Sequence, residues 1–163
     1  MRFKKIIIAV SAVLVAVAAI AASIKISDIN EEKENYRSDA KQLQRFIENT
    51  KERGTNVRTK LSKADELNMK SDAGKKMQSQ LVEFYQIADQ TAASMFASAT
   101  YSYFGKSDTS GFDRLIKEYS DKISSIEVQA RAMNNYCKSK KIGSEYLINL
   151  DDLDKALDCI GGK

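Results

Sequence analysis

The sequence predicts an all-α protein: an N-terminal membrane-targeting helix, then an antiparallel three- to four-helix bundle with a short C-terminal helix. Three observations carry that expectation. The 163 residues include no proline and only seven glycines, too few breakers for the many tight turns of an all-β fold. Beyond position 28, apolar residues recur at spacings of three and four, the period of one helix face. Residues 6–24, IIIAVSAVLVAVAAIAASI, form an unbroken apolar run directly behind Arg2, Lys4 and Lys5.

As a helix that run is about 28 Å long, close to the ~30 Å hydrocarbon core of a bilayer. The basic cluster precedes it and Asp28, Glu31, Glu32 and Glu34 follow, with Lys25 the one early exception. This asymmetry orients the N-terminus inside and the body outside. Ala19-Ile20-Ala21 offers small residues at both positions read by signal peptidase, so the candidate cleavage lies between Ala21 and Ala22. Three features favour retention instead. No glycine or proline breaks the run, it exceeds the usual signal core of about 7–15 residues, and Ile24, Ile26 and Ile29 carry helical spacing onward. No nearby cysteine or Arg-Arg pair marks a lipoprotein or twin-arginine substrate. The expected organisation is a signal peptide or signal-anchor over residues 1–25 and one exported domain over 26–163.

The first stretch of that domain places Ile29, Tyr36, Leu43, Thr50, Val57 and Ala64 seven apart. Ala40, Ile47 and Leu61 lie four residues further on, and Phe46 and Leu67 widen the stripe, giving a seam of coiled-coil type. Gly54-Thr55-Asn56 interrupts it, and a break is favoured over a kinked continuous helix. The polar stretch Asn68–Gly74 predicts a reversal. A second helix follows from about Ala73 to Phe104, with Met77, Leu81, Phe84, Ala88, Ala92, Met95 and Ala99 on one face. Gly105-Lys106-Ser107-Asp108 ends it.

The third helix has the most regular pattern. Ser110 is its expected N-cap and Asp113 suits the positive helix end. Phe112, Ile116, Tyr119, Ile123, Ile126, Ala130, Met133 and Cys137 alternate spacings of four and three. Basic residues Lys138, Lys140 and Lys141, then Gly143, mark its end. Asn149 or a neighbour caps a short last helix with Leu150, Leu153, Leu157 and Ile160 on its stripe, before Gly161-Gly162. Each helix has a single apolar stripe, so the stripes must be buried against one another, and an antiparallel bundle does this within one domain.

Cys137 and Cys159 are the only cysteines. Two cysteines in one exported domain read as a disulfide, worth roughly 3 kcal/mol through the unfolded state. The alternative is a pair of small buried apolar side chains. There is no Cys-x-x-Cys, and two thiols without any histidine make a poor zinc site.

The chain has no histidine, which removes Ser-His and Cys-His pairs and most metal schemes. No phosphate-binding glycine loop is present. No catalytic, cofactor-binding or metal-ligating residue is therefore expected, and the chain reads as a non-enzyme. Of 26 basic residues, Arg2, Lys4, Lys5 and Lys25 precede residue 26, leaving 22 basic against 22 acidic in the body. That balance offers nothing to nucleic acid. The basic stretch 51–76 reads as solvated helix faces, or more sharply as a contact for anionic lipid or another acidic envelope component. Tyr101, Tyr103 and Phe104 read as contact aromatics or as the cap of the core.

These features together predict a non-enzymatic helical bundle of the bacterial envelope, at the inner membrane facing the periplasm if residues 6–24 are kept, and soluble in the periplasm if they are cleaved. It is expected to act through contacts with an envelope or inner-membrane protein. The alternatives are a periplasmic small-ligand-binding or sensor-like bundle and, ranked lower, a carboxylate-dependent cell-wall hydrolase. The heptad-like seam is open to closure within the chain or to a homo-oligomer.

Overall fold

A computed structural model describes residues 27–52, 54–103 and 110–159. These residues contain helices, turns and loops, with no strand among them. The first helix, α1, is described over residues 27–50. It ends where the glycine-containing segment was expected to break the stripe. Gly54 adopts φ 92°, a left-handed conformation that residues with a Cβ adopt only at a cost. Asn56 then caps α2, Val57–Asp65, by accepting from Arg58 N at 2.8 Å. The chain reverses here, because Lys63 Nζ reaches back to Asn49 O (3.2 Å) and Gln42 exchanges two hydrogen bonds with the Asn68 backbone (2.9 and 3.0 Å). The first stripe is therefore folded into a helical hairpin.

Two long helices follow, α3 over Asp72–Tyr103 and α4 over Ser110–Ser139. They run antiparallel, with Gln129 Nε2 donating to Ala73 O (3.0 Å) and Gln80 Nε2 to Ser125 Oγ (2.6 Å). A 3-10 turn at Ser144–Tyr146 leads to α5, Leu150–Leu157. As expected from the sequence, Asn149 Oδ1 caps α5, accepting from Asp151 N and Asp152 N at 3.0 and 3.3 Å.

The stripes meet in one core. Tyr36, Leu43 and Phe46 of α1, Met77, Leu81, Phe84 and Tyr85 of α3, Ile126 and Met133 of α4, and Leu153 and Leu157 of α5 are all buried. The α1 seam closes within the chain, since Tyr36, Leu43 and Thr50 face these partners. Tyr36 OH donates to Met133 O of α4. Fourteen residues on, Thr50 bears on Tyr85, as does Tyr119, fourteen residues before Met133. This register makes α1 and α4 antiparallel, in contact around Tyr36 and both packed against Tyr85 of α3.

The stripes outrun the elements that cover them. Thr91 is fully buried, yet α3 continues through residues 92–103, where Met95 and Phe96 are 40% and 80% exposed. Ile116 on α4 is 38% exposed. Both positions continue the buried faces of their helices, but α1 has ended at Thr50 and α5 at Leu157. One end of the body thus carries the first described turn of α1, and the other carries exposed apolar side chains, Met95 and Ile116.

The end of α4 is a Schellman turn: Ile142 N donates to Cys137 O (3.0 Å) and Lys141 N to Lys138 O (3.2 Å). The position that usually holds glycine holds Lys141, at φ 53°. Because a left-handed L-residue is strained by about 1–2 kcal/mol, Lys141→Gly is expected to stabilise the fold by about 0.5–1 kcal/mol after the added freedom of the unfolded chain is offset. Urea unfolding of the two proteins checks this.

No helix among the described residues is long and apolar enough to cross a membrane. The apolar run 6–24 and the candidate cleavage at Ala21 and Ala22 lie outside the described residues.

Candidate functional site

The first two turns of α1 place Asp28, Glu31, Glu32, Asn35 and Tyr36 along one side of the helix. Opposite them stand Lys70, Ser71, Asp72 and Ala73 at the start of α3, with Tyr136 from α4. Together they line a cleft of about 560 Å³. Its floor is two tyrosines with ring centroids 5.0 Å apart, Tyr36 and Tyr136. Burial, followed by the Glu32 carboxylate, pushes the Tyr136 hydroxyl up to about 12, and burial raises Tyr36 as well. Both phenols are neutral at pH 7. Among the described lining residues, three carboxylates on α1 and Asp72 outnumber the ammonium of Lys70, so the lining is acidic with aromatic walls.

The wall formed by α3 is fixed by one carboxylate. Asp39, fully buried on α1, accepts from Lys70 N (2.8 Å), Ser71 N (2.8 Å) and Ser71 Oγ (2.6 Å). Ser71 Oγ in turn accepts from Gly74 N at 3.0 Å. Three donors and the positive end of α3 offset the cost of burying the charge. The helix start comes so close that a Cβ on Gly74 would lie 2.3 Å from Asp39 Oδ2.

At the opposite end of α1 the polar groups converge on α5. The last carbonyls of a helix lack intrahelical donors, and here side chains from three other helices supply them. Lys60 Nζ of α2 donates to Ala156 O (2.8 Å) and Asp158 O (3.4 Å), Tyr85 OH of α3 to Ala156 O (3.0 Å), and Tyr119 OH of α4 to Leu157 O (2.9 Å). Lys60 is only 2% exposed. This corrects the expectation that the lysines of residues 51–76 are all solvated. The signal lay in its spacing: Lys60 falls between Val57 and Ala64 on the inward stripe, and its ammonium satisfies the negative end of α5.

This junction also corrects the expected disulfide. Cys137 and Cys159 are both free thiols. Cys137 Sγ donates to Gly143 O (3.3 Å) at the end of α4, whereas Cys159 N donates to Tyr119 OH (3.3 Å). Eighteen residues separate Tyr119 from Cys137, about 27 Å along the helix, while a disulfide needs Cα atoms within about 7 Å. The sequence reading placed both cysteines near helix ends, but α5 runs back along α4 and carries Cys159 away. Each thiol instead fills core space, the alternative weighed from the sequence.

Burial pushes the Cys159 thiol up to about 11, and Tyr119 to about 12. Burial also raises Cys137 and Tyr85. For each group the unfolded state loses its proton at lower pH than the folded state, so unfolding stability falls as pH rises. Stability is expected to be intact at pH 8 and to decline from about pH 9 through 11, with no gain from oxidants. Denaturant titrations from pH 7 to 11 test this, together with a count of two reactive thiols in denatured, never-reduced protein.

Tyr101 and Tyr103 belong to the last turn of α3, and Phe104 lies outside the described residues. No group of three or more cysteine, aspartate or glutamate side chains that would hold a metal ion occurs among the described residues. No family model, curated protein or solved structure matches the chain.

Proposed function

We propose that this chain is a non-enzymatic helical-bundle protein of the bacterial envelope. In this reading residues 6–24 hold it at the inner membrane, with the body facing the periplasm and working through contact with another envelope protein. The observation that carries the reading is the exposure of apolar side chains where α3 and α4 extend past α1 and α5. Among the described residues, Met95 of α3 is 40% exposed and Ile116 of α4 38% exposed, on the end of the body away from the first described turn of α1. Exposed Met and Ile side chains on two packed helices are the kind of apolar surface that a protein partner buries. A tether leading into α1 would hold that surface away from the bilayer.

In-cell crosslinking with mass spectrometry tests this. A photoreactive residue at position 95 of the full-length chain is expected to yield a discrete protein adduct, while one at exposed Val128 yields none. Identical patterns at the two positions reject the assignment of the surface.

The cleft favours a second reading, a periplasmic small-ligand-binding or sensor-like bundle. Four carboxylates and two tyrosine faces suit a compact amine-bearing molecule. A rise in melting temperature with such a ligand, lost in Glu32→Gln, would support it over the first.

A further inference from the structure

The end of α4 carries three exposed lysines, Lys138, Lys140 and Lys141. None has a carboxylate within ion-pair distance among the described residues, unlike Lys51, Lys117, Lys122 and Lys155. Lys140 rests its ammonium 5.7 Å from the Tyr136 ring centroid. Lys141 occupies the left-handed position of the Schellman turn, where glycine would be unstrained. Strain of this kind persists where the side chain has a use. The acidic residues at this end are Glu145 beside the turn and Asp28, Glu31, Glu32 and Asp72 around the cleft.

The register locates these lysines relative to the N-terminal run. Tyr36 is level with Met133 and the helices are antiparallel, so residues 138–141 stand beside residues 28–31 of α1. The apolar run ends at Ile24, three residues before Ser27, and three residues span no more than about 11 Å even when extended. If the run is retained, these lysines lie at headgroup depth, where an ammonium on a flexible stem reaches phosphate.

We propose that Lys138, Lys140 and Lys141 bind the phosphate groups of anionic lipids and set the body upright on the bilayer. This deepens the tethered reading above and rests on it. Each basic residue beside an anionic surface favours the contact about fivefold, and the carboxylates at this end oppose it, so the three lysines give a net gain of about tenfold at low salt. Screening shrinks that gain as the Debye length falls to about 3 Å in molar salt.

The test uses the full-length chain in nanodiscs of phosphatidylcholine, with or without phosphatidylglycerol. Lysine acylation and amide exchange over residues 138–146 are read by mass spectrometry. Acylation of the three lysines is expected to be about tenfold slower in the anionic discs, with the difference abolished by molar salt. Lys141→Gly, which relieves the strained turn, folds at least as well and loses part of the exchange protection. Equal rates in both discs overturn the proposal. So does protection reproduced by inorganic phosphate in phosphatidylcholine discs, which would make the site a free-anion site. If the cellular protein begins at Ala22, the tether fails separately. Sedimentation of that mature form with phosphatidylglycerol vesicles then sustains the lysine contact, and its absence removes it.

Discussion

Lys60→Met is expected to destabilise the fold by about 2–3 kcal/mol and to lower its melting temperature by several degrees. Methionine keeps the buried stem but removes two charge-assisted hydrogen bonds to the Ala156 and Asp158 carbonyls. Ala156 O keeps its bond from Tyr85, and removing a buried charge recovers some desolvation cost, so the loss stays short of collapse. Lys60→Glu is expected to lose more, because a carboxylate would face the negative end of α5. Urea unfolding measures the stability. Amide exchange shows whether residues 153–159 open first while the middle of α3 stays protected. A Lys60→Met protein as stable as the parent would show that the ammonium contributes nothing to docking α5.

The second large effect runs against helix propensity. Alanine is a better helix former than glycine by about 1 kcal/mol, yet Gly74→Ala is expected to cost about 2–3 kcal/mol. The new methyl would stand 2.3 Å from Asp39 Oδ2 and 2.8 Å from its Cγ. Asp39 cannot swing aside without releasing the three donors that fix the start of α3. Asp39→Ala alone is expected to be destabilising, because it frees those donors. In that background Gly74→Ala should become neutral or stabilising, since the clash has gone and only propensity remains. A double-mutant cycle measures this coupling, and simple additivity would contradict it.

Much of the helical architecture was legible in the sequence. The stripes Met77–Leu81–Phe84–Ala88 and Ile126–Ala130–Met133–Cys137 are buried as their spacing required. Gly54 lies in the break between α1 and α2, and Asn149 caps α5, because turn and cap chemistry act locally. The distal half of the same stripes misled: Met95 and Ile116 keep the period but not the burial. Periodicity identifies the face a helix offers, whereas burial depends on how far its neighbours extend. Lys60 and Asp39 were hidden for a related reason. Their partners are backbone groups at the ends of other helices, and main-chain carbonyls and amides leave no mark in a side-chain pattern. The cleft was equally invisible, because its carboxylates, tyrosines and Lys70 come from three separate stretches of chain.

The sequence by itself determined that the body is helical, where several of its breaks and caps fall, and which faces its helices offer to a core. These follow from short-range rules, the helical period, the caps and the breakers, which act over a few residues. Only the tertiary structure decided that α5 returns along α4, separating Cys159 from Cys137, and that Lys60 closes the end of α5 from inside. Side-chain spacing carries no record of which helix end meets which neighbour. That choice emerges when the stripes pack and every buried polar group must find a partner.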